Sequence, residues 1–337
     1  MIRVALDAMG GDNAPQVEIA GALRALAELP TGSVIQLVGR TEAIEAELAR
    51  HADIDRNRLE IHEAAEVIGM GEKPLAALRR KPNSSILVGL GLQKAGRSDA
   101  FVSAGNTGAV LAGATLTLGL HDGVERAAVA TLFPTAERPV LVLDAGANVD
   151  CSPRELVGFA HLGTVYVRDI LGRPNPTVGL LNIGEEEEKG NGVVKEAFQL
   201  LRQAPGINFV GNIEGRDIVA GHRTHGHVDI VVCDGFVGNV VLKFYESVAR
   251  LIVGLVKREA PGVLERDDVR RLFRVLDYSE YGGAPLLGVR GNAIICHGSS
   301  TPNAIKNAIK VAVKSVESGL SQHIGAELRE HEAPAQA

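Results

Sequence analysis

The stretch "IVVCDGFVGNVVLK" (230–243) joins an apolar run to a glycine-containing turn and then to a helical pattern. Residues 230–232 lack polar alternation, which is typical of a strand covered on both faces of a sheet. Asp234 and Gly235 interrupt the run, and from Asn239 onward apolar residues recur near helical spacing. A strand, a turn and a helix in this order are typical of βα units, so the stretch predicts a parallel sheet flanked by helices.

The same alternation of apolar runs and helical patterns continues along the chain. Ser152-Pro153-Arg154-Glu155 is a capping box with proline at the first helical position, and Thr301-Pro302 opens another helix. We predict an α/β fold with a mainly parallel sheet sandwiched by helices, one catalytic domain over residues 1–328 and a disordered tail over 329–337. The predicted strands are 2–7, 34–39, 99–105, 127–133, 139–146, 177–184, 207–211, 228–234 and 293–298.

One segment, residues 239–278, contains no strand pattern. Two apolar stripes at helical spacing are separated by a turn at Pro261-Gly262. The segment therefore predicts a helical hairpin that is inserted in the domain and protrudes from it.

Composition excludes several classes of function. The formal net charge of the 337 residues is -6, aromatic residues make up 4% and Trp is absent, which disfavours a nucleic-acid partner. The three cysteines are far apart and favour a reducing cytoplasm over a disulfide framework. Asp7 comes too early for a signal peptide, and no apolar run is long enough to span a membrane.

Glycine and asparagine recur at the ends of the predicted strands. Ligands of open parallel sheets bind beyond the carboxyl ends of the strands, where glycine permits close approach and helix N-termini attract anions. The set therefore favours a shared anion site, although any single pair can also serve as a turn or a helix cap. The Gly-Asn pairs begin at Gly105, Gly190, Gly211, Gly238 and Gly291.

Eight motifs, in order along the chain, resemble one known family. They are "ALDAMGGDNAP" (5–15), "KPLAALRRKPNSS" (73–85), "SAGNTGA" (103–109), "GLLNIGEEEEKGN" (179–191), "GNIEGRDI" (211–218), "DGFVGNVVLK" (234–243), "YGGAPLLG" (281–288) and "HGSS" (297–300). This pattern is similar to the phosphate acyltransferases of bacterial phospholipid synthesis, the PlsX family.

The resemblance implies transfer of a long acyl chain from acyl carrier protein to inorganic phosphate, which gives an acyl phosphate and needs no cofactor. It also implies a homodimer with a fold like isopropylmalate dehydrogenases and phosphotransacetylases. The enzyme would be cytoplasmic, contact the inner face of the cell membrane weakly and transiently, and supply a downstream glycerol-phosphate acyltransferase.

Three residues are candidates for catalysis because phosphate is itself the nucleophile and needs only positioning and charge stabilisation. Lys189 could hold phosphate, Asn239 could donate to the thioester oxygen or to phosphate, and His297 could protonate the leaving thiolate or orient phosphate. Their alternatives are a solvated lysine, a helix N-cap and a structural histidine. The candidates for phosphate binding are Ser103, Gly105, Asn106, Thr107, Gly238, Ser299 and Ser300.

Two surface sets are candidates for partner contacts. Between Arg250 and Arg274 there are seven basic and four acidic residues, which favours an anionic partner or membrane near the hairpin. The same stripes could instead pack across a dimer interface. The candidates for carrier contact are Arg79, Arg80, Lys81, Arg266, Arg270, Arg271 and Arg274, and those for membrane contact are Ala260, Pro261, Val263 and Leu264.

Other functions remain as alternatives. A dehydrogenase of similar fold that uses NAD and a metal would need clustered carboxylates, and no Asp-x-x-x-Asp helix pair occurs. A non-catalytic binder of acyl chains or phosphometabolites would bind phosphate without turnover. The histidines at 222, 225 and 227 are a weak metal signal because no cysteine or carboxylate cluster accompanies them, so we predict no metal site.

Overall fold

A computed structural model of the chain describes residues 1–52, 54–135, 137–223, 226–260, 262–269, 273 and 281–332. It divides into two compact units. The first unit comprises Met1–Ala127 and Tyr281–Arg329, and the second comprises Ala128–Glu280 and Glu330–Ala337. The single domain predicted over 1–328 stays a prediction.

The elements alternate as the sequence predicts. The strands are β1 (Ile2–Asp7), β2 (Ser33–Gly39), β3 (Leu59–Glu63), β4 (Ala100–Ser103), β5 (Ala128–Val129), β6 (Thr131–Phe133), β7 (Val140–Leu143), β8 (Thr177–Leu181), β9 (Asn208–Ile213), β10 (His222–Arg223), β11 (Gly226–His227), β12 (Ile230–Val232), β13 (Ala284–Leu287) and β14 (Ala293–Ile295). The helices are α1 (Gln16–Glu28), α2 (Thr41–Leu48), α3 (Pro74–Arg80), α4 (Ser85–Lys94), α5 (Thr107–Leu118), α6 (Pro153–Leu171), α7 (Gly192–Gln203), α8 (Gly215–Ala220), α9 (Gly235–Glu259), α10 (Pro302–Glu317) and α11 (Leu320–Glu332).

The sheet of the first unit is covered by helices on both faces. Its strand order is β3-β2-β1-β4-β14-β13, with parallel pairing except between β13 and β14. Successive residues of a strand point to opposite faces. Val102 accordingly joins the core that α1 and α10 build, whereas the ring of its neighbour Phe101 lies against Gly89 of α4.

The sheet of the second unit follows the same plan with the order β6-β7-β12-β8-β9, in which only the β6–β7 pair is antiparallel among the described strands. On one face Ile230 lies against Gly163 of α6. On the other face Val231 packs with Phe133 and Ile218, and Tyr245 of α9 covers this cluster in part. Parallel sheets buried on both faces confirm the predicted fold class.

Both predicted helix starts are confirmed. Ser152 Oγ accepts a hydrogen bond from the Glu155 N–H at 3.2 Å, and the Glu155 carboxylate accepts one from the Ser152 N–H at 2.7 Å. Thr301 caps α10 through the Ala304 N–H at 3.2 Å. Helix α11 then continues to Glu332, so the predicted tail is helical over its first residues, and 333–337 lie outside the described residues.

The predicted hairpin is described only in part. Its first helix, α9, begins at Gly235 and not at Asn239, because Asp234 caps it by accepting from the Val237 N–H at 2.9 Å. Asn239 therefore lies inside the helix, and its alternative role as N-cap is wrong. A short 3₁₀ turn, Val263–Glu265, follows Gly262, and the second arm falls largely outside the described residues. No described helix is both long and apolar enough to cross a bilayer.

The contact between α1 and α10 offers a test of the packing in the first unit. A Cβ added to Gly21 would lie 2.5 Å from the Cβ of Ile305, whereas one added to Gly91 of α4 would meet nothing within 4 Å. We expect Gly21→Ala to lower the free energy of unfolding by ~1–3 kcal/mol, because the helices must separate. Gly91→Ala should raise it by up to ~1 kcal/mol through helix propensity alone. Urea denaturation of both variants measures the difference, and equal midpoints would contradict the packing described.

Candidate functional site

Three strands of the first unit deliver polar residues to one edge. β1, β4 and β14 are neighbours in the sheet and run parallel, so their carboxyl ends meet. Asp7 ends β1, Ser103 ends β4, and His297 follows β14. The structure thus brings together two of the predicted clusters, those around Ser103 and around His297.

Ser103 is buried and its hydroxyl is already engaged. Ser103 Oγ donates to Asp7 Oδ2 at 2.7 Å and accepts from the Gly105 N–H at 3.0 Å. Burial raises the pKa of Asp7, while hydrogen bonds from Ser85, Ser103 and Met9 oppose that rise. Ser103 therefore shapes the loop that follows β4, and its predicted contact with phosphate stays a prediction.

Asn106 holds two segments in place at once. Its Oδ1 accepts from the Ala109 N–H at 3.0 Å and caps α5. Its Nδ2 donates to the carbonyl oxygens of Gly69, Met70 and Glu72 at 3.2, 3.0 and 3.1 Å. Thr107, the first residue of α5, is exposed. Within this predicted cluster, Thr107 is therefore the side chain open to a ligand at a helix N-terminus.

His297 is exposed, and its surroundings fix its tautomer. The Ser299 N–H, which can only donate, points at His297 Nδ1 at 3.2 Å, and Ser299 Oγ lies 2.7 Å from the same atom. Nδ1 is thus an acceptor, and in the neutral ring the proton resides on Nε2. The Ser300 N–H donates to the His297 carbonyl oxygen at 2.9 Å. His297 therefore presents an Nε2–H donor, and its predicted role stays a prediction.

Glu18 is a buried carboxyl that sequence reasoning missed. It is 1% exposed, and its Oε2 has no hydrogen-bond partner among the described residues. Burial, with help from the charges of Asp7 and Asp12, raises the pKa of Glu18 to about 7. The sequence offers a weak signal only, since Glu18 follows the glycine-rich "MGGDNAP" segment and reads as a helix-start carboxylate.

In the second unit, Gly235 and Gly238 of the stretch 234–239 let the start of α9 pack closely against a neighbouring loop. They lie one helical turn apart at the start of α9, so neither carries a side chain on that face. A Cβ on Gly235 would collide with the Asn148 carbonyl oxygen, and one on Gly238 would collide with that of Asp144. Gly238 is thus needed for backbone packing, and its predicted phosphate contact stays a prediction.

The loop that packs against these glycines is organised by Asp144, which is buried at the end of β7. Its Oδ1 accepts from the Val129 N–H at 2.9 Å, and its Oδ2 accepts from the Asn148 and Ala147 N–H groups at 2.7 and 3.0 Å. Burial raises the pKa of Asp144, and these hydrogen bonds oppose the rise. The predicted strand-end cluster at 144–148 is therefore a ring of backbone donors around one carboxylate.

Asn239 is exposed on the second turn of α9, next to Gly146 of the same loop. A Cβ on Gly146 would lie 3.3 Å from the Asn239 Cβ. Because Asp234 caps the helix, the amide of Asn239 is not needed for capping. Both donors of the amide are therefore open to a ligand at this strand end.

Lys189 lies in the loop between β8 and α7, as the sequence predicts. The loop is held by Asn212 Nδ2, which donates to the Glu186 carbonyl oxygen at 2.9 Å, and by Asn182 Nδ2, which donates to that of Lys189 at 3.1 Å. Lys189 is exposed, and no described carboxylate forms a salt bridge with its ammonium. β8 and β12 are neighbours, so Lys189 and Asn239 follow adjacent strands.

The other Gly-Asn pairs have structural roles. Asn191 caps α7 by accepting from the Val194 N–H at 3.0 Å, and Asn212 lies buried in β9. Asn292 Nδ2 donates to the Asp99 carbonyl oxygen at 3.2 Å. These asparagines hold loops and helix ends, and the shared anion site inferred from the set stays a prediction.

The residues predicted to contact the carrier protein differ in whether their positive charges are paired with carboxylates. Arg79 is exposed at the end of α3, and Arg80 forms a salt bridge with Glu72 at 3.3 Å. Lys81 is half-buried between Glu72 and the Val67 carbonyl oxygen. Arg266 pairs with Asp268 at 2.6 Å. Arg270, Arg271 and Arg274 lie outside the described residues.

The predicted membrane contacts are less exposed than the sequence suggests. Ala260 ends α9, Val263 and Leu264 are half-buried in the short 3₁₀ turn, and Pro261 lies outside the described residues. Large exposed apolar side chains lie instead on α9 itself. They are Phe236, Val237, Val240, Phe244, Leu251, Ile252, Val253 and Leu255.

The weaker metal signal finds no support in the described part of the chain. His222 and His227 face each other across the β10–β11 pair, and His227 lies 3.5 Å from Glu137. His225 is outside the described residues. The residues that the structure describes contain no group of three or more His, Cys, Asp or Glu suited to a metal ion.

Comparison with known proteins identifies the family. The family described as "Fatty acid synthesis protein" matches residues 2–323. The chain is 48% identical to the phosphate acyltransferase of Heliobacterium modesticaldum over 338 residues, covering 98% of this chain and 97% of that protein. It is 50% identical to that of Desulforamulus reducens over 327 residues, covering 95% of each.

Solved structures with low identity share the fold. A phosphotransacetylase from Streptococcus pyogenes has a TM-score of 0.62 at 18% identity and covers 94% of each chain. The 4-hydroxythreonine-4-phosphate dehydrogenase from Klebsiella pneumoniae has a TM-score of 0.55 at 14% identity, covering 94% of this chain and 98% of that one. The predicted phosphotransacetylase-like fold is thereby confirmed. The full-length identity to two phosphate acyltransferases, together with the family match, shows that this chain is an acyltransferase and belongs to the fatty acid synthesis protein family.

Proposed function

We propose that this acyltransferase moves a long-chain fatty acyl group from acyl carrier protein to inorganic phosphate, giving an acyl phosphate for phospholipid synthesis. The observation that carries the proposal is the exposed ammonium of Lys189, which lacks a salt bridge among the described residues and follows a strand beside the N-terminus of α7. A cation and free N–H groups together suit a phosphate dianion. The relatives named above are phosphate acyltransferases, which supports the same acceptor.

The reaction needs no nucleophile from the protein. A phosphate oxygen attacks the thioester carbonyl carbon, the C–O bond forms, the C–S bond breaks, and the thiolate leaves and takes up a proton. In the second unit, Lys189 offsets the charge of phosphate and Asn239 donates to the developing oxyanion, and the leaving thiolate takes its proton from water. The roles predicted for Thr107, His297, Ser299 and Ser300, which lie in the first unit, stay predictions.

Acyl phosphate formation should depend on Lys189 and Asn239. We expect Lys189→Ala and Asn239→Asp each to lower kcat by ~10²–10³, because each removes a donor to a charged group in the transition state. Asn239→Asp keeps the shape of the side chain, replaces its N–H groups by an acceptor oxygen and adds a negative charge that repels phosphate. Mass spectrometry of acyl phosphate, with acyl-carrier thioester and phosphate as substrates, measures the rates.

The matched control is Lys195→Ala, which removes an exposed lysine on the next helix, α7, outside the proposed site. Lys189→Arg should retain part of the activity because it retains the charge. Near-normal turnover of Lys189→Ala and Asn239→Asp, with native circular dichroism, would show that the assignment of roles is wrong.

Arg79 is the strongest candidate for contact with the acidic carrier protein. It is exposed, it has no salt bridge among the described residues, and Leu75, 55% exposed, lies one turn earlier on the same face of α3. A cation beside an apolar side chain suits a partner that buries both.

Charge reversal tests this contact. Arg79→Glu should raise the KM for the carrier thioester by about three- to tenfold and leave kcat unchanged, and the effect should shrink as salt is added. Arg24→Glu reverses an exposed arginine on α1 of the same unit and serves as control. An equal KM for the two variants would remove Arg79 from the carrier surface.

The exposed face of α9 supports a homodimer. Val240, Phe244, Leu251 and Leu255 recur at helical spacing beyond the first turn and form one apolar stripe. A second copy of the same helix would bury such a stripe around a twofold axis. Weak contact of the hairpin tip with the inner membrane surface, where a downstream glycerol-phosphate acyltransferase would take the product, is proposed from Val263, Leu264 and the basic residues around them.

Vesicle flotation tests the membrane contact. Wild-type protein should co-float with anionic vesicles at low salt. Burial of the two half-buried apolar side chains in the membrane surface contributes only ~3–6 kcal/mol to attachment, so their loss in Val263→Asp/Leu264→Asp should abolish co-flotation. Val219→Asp, at another exposed valine of the second unit, should co-float like the wild type. Wild-type protein that stays at the bottom of the gradient would disprove the contact.

A further inference from the structure

The second unit contains an open cavity of about 700 Å³ at the carboxyl end of its sheet. Its walls are the end of β8, the first turn of α7, the first turn of α9 and the loop 149–151. Gly190 and Asn191, which line it, directly follow Lys189 in the chain. The volume lies within the range of ~300–1,000 Å³ that is usual for sites of small organic ligands.

The rim of this cavity is apolar although it faces solvent. The exposed fractions of Val149, Ile183, Val193 and Phe236 are 55%, 81%, 37% and 63%. Single exposed apolar side chains need no explanation, but several around one concave site indicate a ligand or partner. The rim therefore favours an apolar ligand.

The floor of the cavity is apolar as well. Leu156 and Leu180 are buried there, together with the thiols of Cys151 and Cys233. Burial raises the pKa of Cys151 to about 11 and raises that of Cys233 well above its usual value. Both thiols therefore stay protonated near neutral pH. A protonated buried thiol packs as a small apolar group.

Three of the four polar side chains that line the cavity are engaged within the protein, and the fourth, Asp150, is exposed at the rim. Asn191 and Asp234 accept from the Val194 and Val237 N–H groups as helix caps. Asn182 Nδ2 donates to the Lys189 carbonyl oxygen. A ligand in the cavity would therefore meet mainly hydrocarbon, with backbone polar groups at the end near Lys189.

We propose that this cavity binds the hydrocarbon chain of the long-chain acyl substrate. The identity of the ligand as an acyl chain rests on the proposed function. Its position in this cavity rests on the apolar rim and floor. Each methylene that enters should strengthen binding about fourfold. The cavity would then set the preference for long over short acyl groups, with the reacting carboxyl carbon at the end where Lys189 lies.

A tryptophan reporter tests the proposal, because the natural chain has no Trp. Ile183→Trp places the indole on the rim, at a side chain 81% exposed, where it disturbs no packing. Val219→Trp, at a valine 51% exposed on α8 and away from the cavity, is the matched control. The probe is a long-chain fatty acid brominated along its chain, since bromine quenches indole fluorescence on contact.

We expect the brominated long-chain acid to quench Ile183→Trp in a saturable manner and to leave Val219→Trp bright. Unbrominated long-chain acid should restore the fluorescence, whereas butyrate should not. Val149→Trp, at another exposed residue of the rim, should repeat the result if the first variant folds poorly. Absence of quenching in folded variants, or equal quenching at position 219, would overturn the proposal.

A second measurement separates the cavity from the reaction. Val193→Phe, which narrows the cavity, should lower kcat/KM for long-chain carrier thioesters at least tenfold relative to short-chain ones. An unchanged ratio would overturn the role in chain selection. Saturable quenching in a protein that forms no acyl phosphate would instead refute the proposed function and leave the binding site standing.

Discussion

The approach of the Asp144 loop to the first turn of α9 is the constraint on which the second unit depends. The Asp144 and Asn148 carbonyl oxygens occupy the places where side chains of Gly238 and Gly235 would otherwise stand. Any larger residue at either position would push the helix away from the end of β7. The same contact fixes where Asn239 lies, because Asn239 follows Gly238 on the helix and sits beside Gly146. Packing and the candidate chemistry therefore share one segment.

Asparagine provides hydrogen-bond partners for backbone groups at these strand ends. A loop that turns from strand to helix leaves N–H groups without partners, and a neutral amide can accept from one while donating to another segment. Asn106 does both, since it caps α5 and donates to the segment 69–72. Asn191 accepts as the cap of α7, and Asn212 donates from within a strand to the loop of Lys189. The amide is neutral, so it adds no negative charge where an anion is expected to bind. That property makes asparagine suitable both for the structure and for the site.

Much of the fold follows from local patterns, and the failures have local causes. Each of the nine predicted strands has a counterpart, although residues 127–133 form two short strands, β5 and β6. β3 was missed because "LEIHE" alternates polar and apolar residues over a short edge strand. β13 was missed because Pro285 lies within it, and proline weakens the sequence signal of a strand. The start of α9 was predicted at Asn239 and lies at Gly235, because Asp234 caps the helix. Gly235 and Gly238 carry no apolar side chain, so the first turn does not show helical spacing.

The candidate site was less accessible to sequence reasoning than the fold. Lys189 and Asn239 were identified because glycine marks their loops, and the structure places them after adjacent strands. Glu18 and the cavity could not be found, since both arise from contacts that depend on how the chain folds back on itself. The burial of Glu18 depends on the glycine-rich segment around Gly11, whose missing side chain leaves room for the carboxyl. No periodicity reports such a contact.

None of the three cysteines is placed to act as the nucleophile of acyl transfer. Each is buried, and burial raises the pKa of each thiol, to about 11 for Cys151 and about 12 for Cys296. A thiol attacks as its thiolate, so these residues are inert near neutral pH. The proposed reaction accordingly takes phosphate as its nucleophile, so that the contribution of the protein is to gather charge and donors around it. In the second unit, the ammonium of Lys189 and the amide of Asn239 are groups of the required kind, and each is held by contacts that leave its reactive end open.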